Sequence, residues 1–178
     1  MSILENQFCR IDVADGQSTS VWVQIPCLNE EDSLVSTLNR LSDVRLAGCS
    51  VKTLIIDDGS RDRTVEVASG SGVDLIVSHK RNRGLAAAFM TGLDACLKAG
   101  ADIIVNTDAD GQYPASEIPR LLEPILAGRA DLVIGDRRPS EDMRLPWLKR
   151  KLQKLGSKVV SWLAGQEIPD AVSGFRAM

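Results

Sequence analysis

Five short apolar runs recur along the chain, Val21–Ile25, Thr53–Ile56, Leu75–Val77, Ile103–Val105 and Leu132–Ile134. Each is of strand length, and stretches with helical spacing separate them. A strand with one wet face alternates apolar and polar residues. These runs are nearly continuous, as expected for a mainly parallel sheet covered on both faces. The order therefore predicts a layered α/β domain.

The first run stops at Pro26, and Asn29-Glu30-Glu31-Asp32 then reads as a loop and a helix start. Leu34, Leu38 and Leu41 repeat at helical spacing, with Ala47-Gly48 read as the C-cap of that helix. A short helix follows over Thr64 to Ala68. Leu85, Ala86, Ala88, Phe89, Leu93, Cys96 and Leu97 mark an apolar helical face ending at Gly100, and Ile118 to Leu126 is a further helix. A last helix spans roughly Pro146 to Ala164. Residues 1–20 show neither period and read as a lead-in to a domain covering 21–178.

A chain of 178 residues fits one domain. Its 21 Lys plus Arg against 24 Asp plus Glu give a net charge of −3, so no nucleic-acid partner is expected. Cys9, Cys27, Cys49 and Cys96 lack CxxC spacing and read as reduced thiols, which points to a cytoplasmic location. No apolar stretch approaches the ~20 residues that span a bilayer. The segment 147–162 carries Trp147 and Trp162 beside Lys149, Arg150, Lys151, Lys154 and Lys158. It reads either as a helix lying on an anionic membrane surface or as a core helix with a solvated basic face. His79, with no His or Cys at ligand spacing, reads as a strand-end surface residue. Arg81 and Arg83 face either phosphates or solvent, and solvent is favoured for Arg81.

In an open α/β sheet, ligands bind beyond the carboxyl ends of the strands. Those ends carry Pro26 and Glu30, Asp57 and Asp58, Asp108 and Asp110, and Asp136 with Arg137 and Arg138. Two carboxylates two residues apart, Asp108 and Asp110, can face one hard cation together with phosphate oxygens, and Gln112 can add a neutral oxygen. A D-x-D in a solvated turn is the plainer alternative. It leaves unexplained a second acidic pair at another strand end of the same sheet. Asp57-Asp58-Gly59-Ser60 also reads as a turn with Ser60 capping the next helix.

The ordered set PCLNE, IDDGS, NRGLAAA, NTDADGQYP, IGDRR and DAVSGFR resembles family 2 glycosyltransferases, with the nearest likeness to the dolichyl-phosphate mannosyltransferase-like branch. The resemblance covers Val21 to Met178. It implies a three-layer nucleotide-diphospho-sugar transferase (GT-A, Rossmann-like) fold with a mainly parallel central sheet. By the same resemblance Pro26, Leu28 and Glu30 line a nucleoside pocket, Ile56 and Asp58 contact the base, Asp57 sits close behind, and Ala109 lies against the nucleotide. Asp108, Asp110 and Gln112 take Mg²⁺ or Mn²⁺. Asp110 and Arg137 are the catalytic assignments, Arg137 and Arg150 face phosphate, and Ser173 and Arg176 belong to an SGFR element on the acceptor side.

Three positions depart from the pattern: Leu28 replaces a common aromatic residue, Asp136 a small serine, and Lys154 a frequent serine. The activity implied is inverting transfer from a nucleotide-sugar to a polyprenyl phosphate, at the cytoplasmic face of a membrane in a full-length protein. The alternatives are a transferase building a cell-surface polysaccharide and a nucleotide-binding module without catalysis. Because the family continues past SGFR, the chain is expected to be incomplete at its C-terminal side.

Overall fold

A computed structural model of the chain describes residues 2–4, 18–136 and 173–178. Two compact units arise, one formed by 12–119 and the other by 1–11 with 120–178.

The first unit holds four parallel strands. These are β2 (Thr19–Cys27), β3 (Cys49–Asp57), β4 (Leu75–Ser78) and β5 (Ile103–Asn106), in spatial order β5-β2-β3-β4. Three helices connect them: α1 (Leu34–Ser42), α2 (Thr64–Gly70) and α3 (Leu85–Lys98). Val21, Val23, Ile25, Leu54, Ile55, Ile56, Ile103 and Val105 are fully buried, so the central strands are covered on both faces, as their sequence predicts. Each such side chain contributes about 1.5–3 kcal/mol on burial.

Helix α1 buries Leu34, Thr37, Leu38 and Leu41, one helical stripe. It ends at Ser42, well before the expected cap. Gly48 does adopt a left-handed φ of 71°, but it serves the entry to β3, and its carbonyl accepts the amide of Thr19. Helix α3 also departs from expectation. Its buried residues are Ala88, Gly92 and Cys96, whereas Leu85 and Leu97 stand outward. The sheet-facing stripe is the one of small residues, because the helix lies close on the sheet. A Cβ on Gly92 would come within 2.3 Å of Gln24 Oε1 and 2.8 Å of Ile56 Cδ1.

In the second unit β6 (Leu132–Ile134) pairs antiparallel with β1 (Ser2–Leu4) and with β7 (Arg176–Ala177). Thus three residues of the lead-in form a strand, too short to show a period. Helix α4 covers Ile118–Leu126, as read from the sequence. Among the described residues no helix is long and apolar enough to cross a membrane, and Cys27, Cys49 and Cys96 are free thiols. The basic segment 147–162, and with it both readings of that segment, lies outside the described residues.

Candidate functional site

Strand β2 pairs with β5 only as far as Gln24–Asn106, but with β3 as far as Cys27–Asp57. Past Asn106 the chain leaves the sheet, and a crevice opens beside the end of β2. The same departure explains why β2 continues through Pro26 instead of stopping there. The Gln24 carbonyl faces the β5 side, where it accepts the Thr107 amide, and the Cys27 carbonyl faces β3, where it accepts the Asp58 amide. By alternation Pro26 faces the β5 side after β5 has ended, so its missing N–H breaks no ladder.

A cavity of about 290 Å³ occupies this crevice, entirely within residues 12–119. Pro26, Leu28, Glu30, Asp58, Asp108, Ala109 and Asp110 line it, together with Cys27, with Asn82 and Gly84 just before α3, and with Leu85 and Ala88 of its first turn. Seven of the residues picked from the sequence are therefore brought together. Ile56 is fully buried against α3, and Asp57 lies beneath the turn, accepting the Ser60 amide at 2.9 Å. Neither lines the cavity. Gln112 is exposed on the loop that carries the acidic pair.

Asp58 is buried and holds four hydrogen bonds on named groups. Its Oδ1 lies 2.6 Å from His79 Nδ1 and accepts the Arg83 amide at 2.9 Å, and its Oδ2 accepts the Gly84 amide at 2.8 Å. Its own amide donates to the Cys27 carbonyl at 2.8 Å. Burial opposes ionisation, but the His79 hydrogen bond and the two amides outweigh it and hold the carboxyl below the usual range. His79 is consequently no surface residue. Its side chain is 6% exposed, and Nε2 sits 2.9 Å from Thr91 Oγ1. Cys27, on the floor of the cavity, has its thiol pushed far up by burial first and by Glu30 and Asp57 next, so it is no nucleophile.

The loop after β2 is interlaced with the one after β3. Asn29, with a left-handed φ of 57°, donates its amide to Ser60 Oγ and accepts the Arg61 amide, both at 2.9 Å. The Glu30 amide donates to Thr64 Oγ1 at 2.8 Å, and the Glu31 amide to Asp62 Oδ2 at 3.1 Å. Ser60 is thus a loop clasp and not a helix cap, since α2 begins at Thr64. Gly59, at φ 80°, admits no side chain, because a Cβ would meet the Arg81 carbonyl carbon at 2.6 Å. Arg81 and Arg83 are exposed.

On the other wall, Asp108 is half-buried and Asp110 exposed, with Asp110 Oδ1 accepting the Gln112 amide at 3.0 Å. These are hard oxygen donors of the kind Mg²⁺ and Mn²⁺ prefer. Among the described residues no group of three or more His, Cys, Asp or Glu is placed to hold a metal ion. Two carboxylates and an amide fit a cation that completes its shell with substrate oxygens, but they do not make a closed protein cage.

In the second unit Ser173 is buried, and its hydroxyl accepts the Phe175 amide at 3.3 Å. Arg176 donates through Nη2 to the Ser173 carbonyl at 2.7 Å. The SGFR segment ends in strand β7, with Phe175 packed so closely on Gly135 that a Cβ there would meet it at 2.6 Å. Arg137, Arg150, Lys154 and Asp170 lie outside the described residues.

A family model described as Glycosyl transferase family 2 matches residues 22–178. The chain belongs to glycosyl transferase family 2. Within that family it is 29% identical over 176 residues to the UDP-N-acetylglucosamine–dolichyl-phosphate N-acetylglucosaminyltransferase of Methanococcus voltae, an alignment covering 88% of this chain and 68% of that protein. It is 36% identical over 162 residues to the polyprenol monophosphomannose synthase of Mycolicibacterium smegmatis, covering 87% and 60% respectively. The glucosyl-3-phosphoglycerate synthase of Mycobacterium tuberculosis, solved with Mn²⁺, UDP-glucose and phosphoglyceric acid, superposes with a TM-score of 0.68 at 23% identity. That match covers 89% of this chain and 56% of the synthase. The fold is the mixed α/β GT-A fold of this family.

Proposed function

We propose that the chain carries the donor site of an inverting glycosyltransferase that moves a sugar from a nucleotide-sugar to a polyprenyl phosphate. One observation carries the reading. Asp58, Asp108 and Asp110 line a single cavity at the carboxyl ends of β2, β3 and β5, where an open α/β sheet binds its ligands. The two relatives, a dolichyl-phosphate N-acetylglucosaminyltransferase and a polyprenol monophosphomannose synthase, support the acceptor class.

In this reading Pro26, Leu28, Glu30 and Asp58 hold the nucleoside, with Leu28 offering an apolar contact in place of a ring stack. Asp108, Asp110 and Gln112 would hold a divalent cation. That cation, when bound, neutralises charge on the diphosphate. Arg137 and Arg150 are assigned to phosphate oxygens. The acceptor oxygen attacks the anomeric carbon from the side opposite the diphosphate. A new carbon–oxygen bond forms, the bond to the nucleoside diphosphate breaks, and that diphosphate leaves with the bonding electrons. A lipid phosphate is already ionised near neutral pH, so no side chain has to remove a proton.

The test replaces Asp108 and Asp110 with Asn and follows binding of UDP- and GDP-sugars by calorimetry with Mn²⁺ and with EDTA. Loss of the metal-dependent component is expected. Binding that is unchanged in both variants would sink the assignment. Radiolabelled donor offered with polyprenyl phosphate or with a soluble glycan then decides the acceptor, and transfer to the glycan alone would overturn the lipid reading.

A further inference from the structure

We propose that Thr37 and Arg40 of α1 are positioning residues for the Asp108–Asp110 pair, acting through the backbone of the loop that carries it; this rests on the metal-holding role given to the pair above. Thr37 occupies the buried stripe of α1, between Leu34 and Leu41, where an apolar residue would serve packing. Its hydroxyl instead donates to the Ala109 carbonyl at 2.8 Å. One turn on, Arg40 donates through Nη1 to the Gly111 carbonyl at 3.2 Å, and its Nη2 is braced on Ser36 Oγ at 3.4 Å.

The two carbonyls belong to the residues on either side of Asp110. Holding both fixes the chain direction entering and leaving that residue, and the Gln112 amide on Oδ1 then orients its carboxylate. Gly111 makes the approach possible. It sits at φ 71°, and a Cβ there would lie 3.1 Å from Arg40 Nη1 and 3.4 Å from Thr37 Oγ1. At its other end α1 begins on the nucleoside loop, where the Leu34 amide donates to the Glu30 carbonyl at 3.0 Å. One helix therefore ties Glu30 to the acidic pair, and the two halves of the donor site keep a fixed spacing.

Outer groups that orient metal ligands are commonly worth about 10–100-fold in metal affinity. The experiment measures Mn²⁺ affinity by electron paramagnetic resonance in saturating UDP, and separately in saturating GDP, for the wild type, D110N, T37V, T37S, R40M and R40K. Nucleotide affinity in EDTA and the thermal midpoint are recorded alongside. T37V and R40M should weaken Mn²⁺ about tenfold or more while nucleotide affinity in EDTA stays near wild type, and T37S and R40K should recover most of the loss. Wild-type Mn²⁺ affinity in T37V and R40M, with D110N impaired, would overturn the positioning role and leave the metal site standing. Equal affinity in D110N and the wild type would instead remove the metal role, and the positioning role with it. Should T37V fail to fold, the exposed R40M variant carries the same decision.

Discussion

Asp58 collects more donors than a carboxylate reserved for ligand would need, and this sets what the residue can do. Accepting from His79 Nδ1 fixes the proton on that nitrogen, and Nε2 is left to the Thr91 hydroxyl. Removing the imidazole leaves a buried oxygen short of a donor. H79A should therefore cost about 1–3 kcal/mol in urea unfolding, with weaker nucleoside binding, whereas H79N, whose amide can stand near Nδ1, should retain part of both. The acid response follows from the direction of the shift. A carboxyl held below its unfolded value of about 3.9 contributes stability that is present above that pH and is lost as pH falls through the folded value. Asp62 adds to the same window, held low chiefly by the Thr64 hydroxyl. The thermal midpoint of the wild type should fall as pH drops below about 4, and the fall should be smaller in D58N. Asp58 was legible from the sequence because it ends a strand beside a second carboxylate. His79 was not, because it lies 21 residues away. Only the parallel register that sets Asp57 opposite Ser78 brings the next residue of each strand together.

At the scale of elements, continuous apolar runs located every strand of the first unit and β6 of the second, and helical spacing located α4. Boundaries failed where a residue's usual signal had been put to another use. Pro26 reads as a stop, yet β2 runs through it because β5 has already left. Gly48 reads as a helix end, yet it turns the chain into β3. The face of α3 was read only in part, with Ala88 and Cys96 placed rightly but Leu85 and Leu97 added and Gly92 missed, since hydrophobicity identifies a buried face only when burial and size go together. On α3 the buried residues are Ala88, Gly92 and Cys96, selected by the closeness of the sheet. G92A tests this. Alanine gains about 1 kcal/mol over glycine in helix propensity, but its methyl would press on Gln24 and Ile56. Overpacking of that kind costs about 1–3 kcal/mol. Net destabilisation in urea is expected, and a G92A protein more stable than the wild type would show that α3 can lift from the sheet without penalty.

For the molecule as a whole, the lining of the proposed donor cavity comes from one stretch of the chain, 12–119, so the proposed nucleotide binding would depend on that unit's own strands and loops. The arginines assigned above to phosphate and the SGFR element belong to later residues, and the chain spans 68% and 60% of the two relatives above. Donor binding and transfer can therefore be separated by experiment. A ligand that binds only the folded state stabilises it by about 2.7 kcal/mol at a hundredfold excess over its dissociation constant, which for a chain of this size raises the midpoint by about 5–10 °C. With UDP or GDP and Mn²⁺ at such an excess, this chain should show a rise of that order even without turnover. EDTA should remove most of it, and D110N should respond to nucleotide as the wild type does in EDTA. A rise that survives both EDTA and D110N would mean that Pro26, Leu28, Glu30 and Asp58 hold the nucleotide by themselves, and the acidic pair would then need another role.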